Sequence, residues 1–223
     1  MPVVANSRPG RPPQPRYRPE VESRRCSLSD ILVVCTANVA RSPLLAALLQ
    51  SGVDARLGRG FVTVESAGVE ARFGAPAHEA ARRHAADYGV ALEGHRSRPL
   101  AYAEPATAGL VIAMTRAHVR SLRRRYPQLH PRTFRVRELV RALEAVGSQG
   151  GALQRLARQP WRHETLAEVV ALADAARPRR ARSRRLDIAD PIGRGEAYVA
   201  AMAEEFERSA RLICDAVCGP LWR

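Results

Sequence analysis

The sequence of 223 residues has no lysine, so arginine supplies all 36 of its basic side chains. Aromatic residues make up 5% of the chain and do not interleave with the arginine-rich stretches in a pattern that would stack on bases. Its 4 cysteines are too few for a disulfide scaffold, and Cys214 and Cys218 lack the neighbouring ligands that a metal site needs. No apolar run is long enough for a signal peptide or a membrane span. We therefore expect no metal, no membrane and no nucleic acid as partners.

What remains is the composition of one globular domain with a basic surface. The hydrophobic fraction of 46% is ordinary, and a chain of this length can bury one α/β core. The formal net charge of +14 at pH 7 attracts anions such as phosphorylated peptides. We predict a catalytic domain over residues 28–220. A proline- and arginine-rich tail, residues 1–27, precedes it, and we expect this tail to be disordered.

A short aliphatic run, Ile31–Val34, leads directly into a cysteine, and five residues separate that cysteine from an arginine. A continuous apolar run of this kind is typical of a buried parallel strand. The segment that follows the arginine, Ser42–Leu49, is rich in helix formers and carries proline in the first helical turn. The segment Cys35–Ser42 is thus predicted to be a strand-to-helix loop. The helix N-terminus there offers unpaired N–H groups to an oxyanion.

Cys35 and Arg41 stand at the two ends of this predicted anion site. A helix N-terminus and nearby positive charge favour the thiolate form of a cysteine, which is the nucleophilic form. The guanidinium of Arg41 can bind two phosphoryl oxygens, the loop amides can bind others, and Ser42 can donate its hydroxyl to the sulfur. The pattern indicates a phosphatase with a cysteine nucleophile. The alternative is a structural cysteine followed by an ordinary surface arginine.

The segment Ile31–Pro43 resembles the signature of the low-molecular-weight protein tyrosine phosphatases, V-C-x-G-N-x-C-R-S-P. Four further elements follow in the order of that family: Ser66-Ala67-Gly68, Gly94–Arg98, Val111–Thr115 and Asp190-Pro191. The resemblance implies a single doubly wound α/β domain with a four-stranded parallel sheet flanked by helices. The phosphate-binding loop would follow strand one, at the carboxyl edge of the sheet.

The resemblance also implies a reaction. Phosphotyrosine-type phosphomonoesters, in a phosphorylated protein or a small molecule, would be hydrolysed through a cysteinyl-phosphate without a cofactor. Cys35 would attack the phosphorus while Arg41 binds the phosphate. Asp190 would protonate the leaving oxygen and then act as base on the hydrolytic water. Asp187 is the rival for this role, and Asp190 could instead cap the helix that begins near Glu196.

The remaining site residues are assigned by the resemblance to binding or to support. Substrate-binding positions are Thr36, Ala37, Asn38, Val39, Ala40, Ser42 and Phe73. Asn38 matches a family asparagine with a left-handed backbone, which asparagine tolerates better than most residues. We expect Ser66 and His95 to hold Asn38 by hydrogen bonds. The other histidines carry no such motif and are interpreted as structural or surface residues: His78, His84, His118, His130 and His163.

The chain departs from the family pattern in the loop and in the substrate pocket. Ala40 stands where many members carry a second cysteine, so an oxidised Cys35 has no neighbouring thiol to resolve it. Arg72 replaces the aromatic residue of one pocket wall, with Phe73 beside it. The aromatic residue that often follows D-P is Ile192 here. Either Phe73 supplies the wall that phosphotyrosine needs, or the selectivity for phosphotyrosine is reduced.

The order of apolar and helix-forming segments predicts the elements of this fold. Strands are expected at Ile31–Cys35, Phe61–Glu65, Leu110–Met114 and Thr133–Val136, and helices at Ser42–Arg56, Ala77–Tyr88, Arg116–Arg125, from Arg137, and at Glu196–Val217. An insertion, residues 147–185, interrupts the family pattern and contains a helix-like stretch, Glu164–Ala176. It ends in the arginine-rich run Arg177–Arg185. This run is either a solvated linker or a basic rim that draws acidic, phosphorylated substrates to the site.

Three other functions share parts of this pattern. An arsenate reductase on the same scaffold would use extra cysteines in mid-chain, and none occurs between Cys35 and Cys214, which leaves only a version that uses an external thiol. Arginine phosphatases tend to carry threonine at the position of Val39, whereas an apolar residue there resembles members that favour phosphotyrosine. A basic binding module with a vestigial pocket would have lost catalytic residues, yet Cys35, Arg41 and Asp190 are all present. Because a thiolate mechanism needs a reducing compartment, we expect the cytoplasm.

Overall fold

The computed structural model describes residues 30–148, 150–177 and 183–219. The predicted N-terminal tail and the middle of the arginine-rich run, residues 178–182, lie outside the described residues. The strands are β1 (Ile31–Cys35), β2 (Val64–Gly68), β3 (Leu110–Ala113) and β4 (Thr133–Arg135). The helices are α1 (Arg41–Leu57), α2 (Glu79–Asp87), α3 (Arg116–Arg125), α4 (Val136–Ser148), α5 (Ala152–Ala157), α6 (His163–Ala175) and α7 (Glu196–Cys218).

The strands form one parallel sheet in the order β2-β1-β3-β4. Helices make the crossovers between them, as parallel pairing requires. Cys35 at the end of β1 lies opposite Gly68 at the end of β2, and Val34 lies opposite Ala113 at the end of β3. The carboxyl ends of these strands therefore meet at one edge, where a doubly wound sheet binds its ligand. The predicted α/β fold with four parallel strands is confirmed.

Strand β1 separates two apolar cores because its side chains alternate between the faces of the sheet. Ile31, Val33 and Cys35 pack in the larger core, which residues of α1 and α7 also line. Leu32 and Val34 pack in the smaller core on the other face, with residues of α3. All of β1 is buried, which explains why its sequence is apolar without alternation.

The predicted boundaries hold for β1 and α3, whereas β2 lies three residues further along the chain than predicted. Phe61, the expected first residue of the strand, is 51% exposed and lies in a bend that follows Gly60, whose φ is 85°. Pairing with β1 begins only at Val64. Ser66-Ala67-Gly68 is therefore the end of the strand rather than a segment after it. The aromatic and β-branched residues before Val64 favour a strand in the sequence, but they do not pair with β1 in the sheet.

The segment predicted as an insertion contributes α5 and α6, which pack against the rest of the domain. Helix α6 buries Leu166, Val169, Val170 and Ala173 in the larger core. A Cβ added to Gly109, just before β3, would lie 2.9 Å from Leu166 Cδ2, so the helix approaches the start of that strand closely. The described part of the segment is thus a packed layer of the fold.

Two arginines, one buried and one partly buried, fasten this segment to the end of β4. Arg135 is 1% exposed and forms ion pairs with Glu138 at 3.3 Å and with Asp187 at 2.8 Å. Arg177 pairs with Glu138 at 2.9 Å, and its guanidinium lies over the Phe134 ring, 3.8 Å from the centroid. Glu138 is shared by both arginines, so each buried charge has a partner. The chain that leads to Asp190 is thereby held at the edge of the sheet.

Candidate active site

A loop of residues 36–40 joins β1 to α1 and surrounds the sulfur of Cys35. The backbone N–H of Asn38 donates to Sγ at 3.3 Å, and the Ser42 hydroxyl lies 3.0 Å from the same sulfur. Helix α1 begins at Arg41, and its N-cap residue, Ala40, makes no side-chain hydrogen bond to the helix. The first N–H groups of the helix are therefore left for an anion in the loop.

Two alanines depart from the family signature in this loop: Ala37 stands at its glycine and Ala40 at its second cysteine. Ala40 has a φ of −128°, is 5% exposed and accepts the Leu44 N–H at 3.3 Å through its carbonyl. Among the described residues other than glycine, positive φ occurs at Asn38 and Glu104. Ala37 therefore adopts an ordinary backbone conformation, and the loss of glycine at this position creates no strain.

Asn38 organises the loop through both ends of its side-chain amide. Its φ of 56° is left-handed, a conformation that needs support from the surroundings. Nδ2 donates to Ser42 Oγ at 2.9 Å and to Ser66 Oγ at 2.8 Å, while Oδ1 accepts the Arg98 N–H at 2.9 Å. The amide thus ties the loop to α1, to β2 and to the chain after His95.

His95 supports the loop from outside the sheet. Its Nε2–H donates to the backbone carbonyl of Asn38 at 2.7 Å, so the contact is made with the main chain rather than with the side-chain amide. Burial lowers the pKa of His95, the carbonyl contact opposes that effect, and the nearby Arg96 and Arg98 add to the lowering. A neutral ring with its proton on Nε2 satisfies this contact.

Arg41 links the loop to residues beyond the predicted insertion. Its side chain is buried, and Nη2 donates to Thr36 Oγ1 at 3.2 Å and to Asp190 Oδ2 at 2.6 Å. Nη1 donates to the Ile188 carbonyl at 3.2 Å. The planar fork of the guanidinium makes all three contacts possible at once, which an ammonium group could not do.

Asp187 has a structural position. Its Oδ1 accepts from Arg135 Nη1 at 2.8 Å and from the backbone N–H of Arg116 at 2.9 Å. It therefore joins the end of β4 to the start of α3. Of the two candidates for the general acid, Asp187 is the one whose carboxylate makes structural contacts.

Asp190 has the surroundings expected of a group that exchanges protons. Its side chain is 49% exposed, with Arg41 on one carboxylate oxygen and the Ile192 N–H, at 3.2 Å, on the other. Helix α7 begins at Glu196, and its N-cap position is Gly195. Asp190 does not cap that helix, so the capping interpretation of this residue is wrong.

Exposed apolar side chains supply the candidate walls of the pocket. Phe73 is 75% exposed and packs edge to face with Tyr102, with ring centroids 5.8 Å apart. Ile192 is 51% exposed, and Val39 is half-buried with its carbonyl accepting the His78 N–H at 2.7 Å. No sequence pattern marks Tyr102, because its contact with Phe73 arises only in the folded chain.

His118 is a further polar residue of this site that the sequence analysis missed. The first turn of α3 brings its ring to the loop, where Nε2 lies 3.0 Å from Thr36 Oγ1. Burial, reinforced by Arg41, lowers the pKa of His118 to about 4, so the ring is neutral at physiological pH. In the sequence, His118 precedes the buried Val119 of an amphipathic helix, and that pattern predicts only a core-facing residue.

Replacing Gly68 by alanine is expected to damage the loop. A Cβ at this position would lie 2.3 Å from the Thr36 carbonyl oxygen and 3.0 Å from the Asn38 nitrogen, and both are main-chain atoms that cannot step aside. We expect kcat/KM to fall by about tenfold to a hundredfold, with a destabilisation of about 1–3 kcal/mol from overpacking. Steady-state kinetics and thermal unfolding measure the two effects.

Gly147→Ala is the matched control for Gly68→Ala. An added Cβ at Gly147, in α4, meets nothing within 4 Å, and alanine favours the helix over glycine. This variant should keep full activity and unchanged or slightly raised stability. Normal kinetics for Gly68→Ala would show that the contact between β2 and the loop does not matter.

Within the part of the chain that the structure describes, no three or more His, Cys, Asp or Glu side chains are grouped to hold a metal ion. In the same ranges, no helix combines the length and apolar character needed to cross a bilayer. Cys35, Cys214 and Cys218 are free thiols. Burial raises the pKa of both Cys214 and Cys218 to about 12, so neither is a thiolate at neutral pH.

The fold and the loop together define a doubly wound α/β protein in which a cysteine, an arginine and a helix N-terminus surround a site for an anion. Residues 30–149 match the family model described as low molecular weight phosphotyrosine protein phosphatase. The chain belongs to this family, and it is a phosphatase.

The curated relatives include both tyrosine and arginine phosphatases. The low molecular weight protein-tyrosine-phosphatase Etp of Escherichia coli K12 is 35% identical over 106 residues, which are 48% of this chain and 68% of that protein. The protein-arginine-phosphatase of Geobacillus stearothermophilus is 35% identical over 114 residues, which are 49% of this chain and 70% of that protein.

Solved structures of both kinds share the fold. The YwlE arginine phosphatase from Geobacillus stearothermophilus is 27% identical, with a TM-score of 0.57 over 83% of this chain and 90% of that chain. The Erwinia amylovora tyrosine phosphatase AmsI is 20% identical, with a TM-score of 0.59 over 87% of this chain and 96% of that chain. The family match in sequence ends at residue 149, before Asp190. The place of Asp190 in the site therefore rests on its contact with Arg41.

Proposed function

We propose that this phosphatase hydrolyses phosphotyrosine-type phosphomonoesters of proteins through a cysteinyl-phosphate intermediate, without a metal. The observation that carries the proposal is the contact of 2.6 Å between Arg41 and Asp190, at the loop that surrounds Cys35. It supports a site in which a nucleophile, a phosphate-binding cation and an acid can act on one phosphoryl group.

In the first step, the Cys35 thiolate attacks phosphorus, the S–P bond forms and the P–O bond to the leaving group breaks. An anionic sulfur can only accept hydrogen bonds, and the Asn38 N–H and the Ser42 hydroxyl are in place to donate them. Asn38 Nδ2 donates to the Ser42 oxygen, which leaves the hydroxyl proton of Ser42 for the sulfur at 3.0 Å or for the Ala67 carbonyl at 3.4 Å. An anionic sulfur is the closer and the stronger acceptor, so the hydroxyl donates to it in the thiolate state. Arg41 and the loop N–H groups hold the phosphoryl oxygens as charge moves.

Asp190 completes both steps by moving one proton. It gives its proton to the leaving oxygen in the first step. In the second step it takes a proton from the water that attacks the cysteinyl-phosphate, so inorganic phosphate leaves and the Cys35 thiolate is restored. The half-exposed position of Asp190 allows the proton to exchange with solvent between turnovers.

Phosphoarginine is the second candidate substrate. The similarity to the arginine phosphatase of Geobacillus stearothermophilus favours it as much as the similarity to Etp favours phosphotyrosine. Apolar groups on the protein favour the aromatic substrate, because the exposed Phe73 and the side chain of Val39 offer surfaces for a phenyl ring. We therefore rank phosphotyrosine first.

The domain and its location complete the proposal. We assign the catalytic unit to residues 28–220, with the segment 147–185 as an addition to the family fold. The free thiols among the described residues are consistent with a reducing compartment, and we place the protein in the cytoplasm on that ground.

A substrate panel tests this function. The wild-type protein is assayed with EDTA present on p-nitrophenyl phosphate and on peptides that carry phosphotyrosine, phosphoserine or phosphoarginine. We expect the highest kcat/KM on phosphotyrosine, and a higher value on phosphoarginine would replace one function by the other. Arsenate reduction with an external thiol is measured in parallel. Absence of hydrolysis on the whole panel, or its loss with the chelator, would overturn the proposal.

Asp190→Ala should slow the enzyme in proportion to how much the leaving group needs a proton. General acid catalysis contributes about 10²–10⁴-fold, and p-nitrophenolate leaves without it. We expect kcat to fall by about a hundredfold or more on phenyl phosphate but by less than about tenfold on p-nitrophenyl phosphate. A series of substituted phenyl phosphates measures this dependence.

Asp187→Asn is the matched comparison for Asp190→Ala. Loss of the charge on Asp187 weakens its bonds to Arg135 and to the N–H of Arg116, so stability should fall. The dependence of kcat on the leaving group should stay that of the wild type. If Asp187→Asn rather than Asp190→Ala steepened this dependence, the two aspartates would exchange roles.

A further inference from the structure

A chain of hydrogen bonds runs from α3 to the centre of the site. His118, on the first turn of α3, is 5% exposed, and its Nε2 lies 3.0 Å from Thr36 Oγ1. The same Thr36 oxygen accepts from Arg41 Nη2 at 3.2 Å, and Nη2 also donates to Asp190 at 2.6 Å. Thr36 thus links the imidazole of His118 to the guanidinium of Arg41, to which we assign phosphate binding.

The chemistry of these groups assigns the protons in the chain. A guanidinium N–H can only donate, so the Thr36 oxygen is the acceptor in its contact with Arg41. The hydroxyl proton of Thr36 then needs an acceptor, and Nε2 of His118 is the one that it contacts. The imidazole proton therefore lies on Nδ1. In this arrangement the lone pairs of the Thr36 oxygen face Arg41.

This arrangement requires a neutral ring. Burial and the neighbouring Arg41 lower the pKa of His118 to about 4, against the smaller opposing effects of Asp187 and Asp190. Nε2 therefore stays an acceptor throughout the physiological range. A protonated ring would donate to Thr36, displace the hydroxyl proton and place a second positive charge beside Arg41.

The second ring nitrogen shows that the imidazole is not kept for packing alone. Nδ1 is shielded from solvent and has no hydrogen-bond partner among the described residues. A buried N–H without a partner costs about 1–3 kcal/mol, a cost that a leucine of similar volume would avoid. The contact of Nε2 with Thr36 therefore explains why position 118 carries a histidine rather than an apolar residue.

We propose that His118 is a positioning residue: through the Thr36 hydroxyl it holds the Arg41 guanidinium in the orientation that binds the phosphoryl group. The inference rests on the proposed function, because it takes Arg41 as the phosphate ligand. Asp190 must release Arg41 when it protonates the leaving group. Thr36 and the Ile188 carbonyl are then the contacts that keep the guanidinium in place.

Two substitutions at His118 distinguish the effect of its hydrogen-bond acceptor from the effect of its packing. His118→Gln places an amide oxygen near the position of Nε2, whereas His118→Leu fills the space without an acceptor. We expect His118→Leu to lower kcat/KM on p-nitrophenyl phosphate about tenfold and to raise the Ki of inorganic phosphate about tenfold. His118→Gln should stay within about threefold of the wild type in both. If His118→Leu does not fold, as judged by thermal unfolding, His118→Phe takes its place in the comparison.

A double-mutant cycle shows whether His118 acts through Thr36. Thr36→Val removes the hydroxyl and keeps the shape, and it should raise the Ki of phosphate about tenfold by itself. Adding His118→Leu to Thr36→Val should change that Ki by less than about twofold, since the link is already broken. Independent effects that multiply to about a hundredfold would overturn the proposal, as would a wild-type Ki in His118→Leu.

These outcomes are distinct from a failure of the proposed function. A wild-type protein that hydrolyses nothing and binds no phosphate would refute the function itself. An active wild type whose kcat/KM and Ki are the same in His118→Leu would refute only the role of His118. A lowered melting temperature with unchanged Ki would assign His118 to stability alone, which also overturns the proposal.

Discussion

Replacing Cys35 by serine should abolish turnover, with kcat on every phosphomonoester reduced by on the order of 10⁴-fold or more. A serine hydroxyl fits beside the Asn38 N–H and the Ser42 hydroxyl, but at neutral pH it is not ionised, and no base among the described residues is in contact with this position. The first chemical step therefore loses its nucleophile, while the groups that bind phosphate remain. Phosphate release and binding of inorganic phosphate are the two measurements.

The contrast between those two measurements makes the Cys35→Ser result specific. Because Arg41 and the loop N–H groups are unchanged, the Kd of inorganic phosphate should stay within about threefold of the wild-type value. Cys218→Ser is the control, since this thiol lies at the end of α7 and is kept un-ionised by burial. Residual turnover above about 1% in Cys35→Ser, free of contaminating phosphatase, would mean that another group attacks the phosphorus.

Local chemistry explains why the start of the domain could be predicted. The bounds of β1 follow from one buried aliphatic run, and α1 follows from helix formers with Pro43 in the first turn. Because β1 ends at Cys35 and α1 begins at Arg41, the residues between them form the loop. The positions of Cys35 and Arg41 therefore follow from residues that adjoin them in the sequence. None of these inferences needs a contact between distant parts of the chain.

Long-range contacts explain what the sequence could not show. Pairing with β1 decides where β2 begins, and that moved the strand from Phe61 to Val64. The contact of Thr36 with His118 spans 82 positions, and no motif marks it. Asp190 could be named from its D-P motif, but its partner Arg41 is 149 positions away and becomes visible only in the folded chain.

The chain that follows the packed insertion is bonded to the sheet just before it reaches Asp190. Arg137 donates to the Asp187 carbonyl at 2.9 Å, and the Ile188 N–H donates to the Met114 carbonyl at the end of β3 at 2.8 Å. Together with Arg135, these bonds fix the chain just before Asp190 to the sheet. The extra helices therefore add length to the chain without removing Asp190 from the edge where Cys35 lies.

Arg41→Lys should reduce kcat/KM by about 10³-fold although the positive charge is kept. An arginine side chain that binds a transferring phosphoryl group raises kcat by about 10³–10⁵-fold, and its planar fork accounts for much of this effect. An ammonium group cannot reach Thr36, Ile188 and Asp190 together as the guanidinium does. Steady-state kinetics and the Ki of inorganic phosphate, expected to rise about a hundredfold, measure the loss.

Arg59→Lys is the control that separates shape from charge. Arg59 is exposed and follows α1, whose 17 residues carry the chain about 25 Å away from the catalytic loop. The same chemical change there should leave kcat/KM and Ki unaltered. If Arg41→Lys kept more than about a tenth of wild-type activity, charge alone would suffice at the loop. The hydrogen bonds that Thr36 and Ile188 make to the guanidinium would then have no part in catalysis, and the positioning role of His118 would lose its basis.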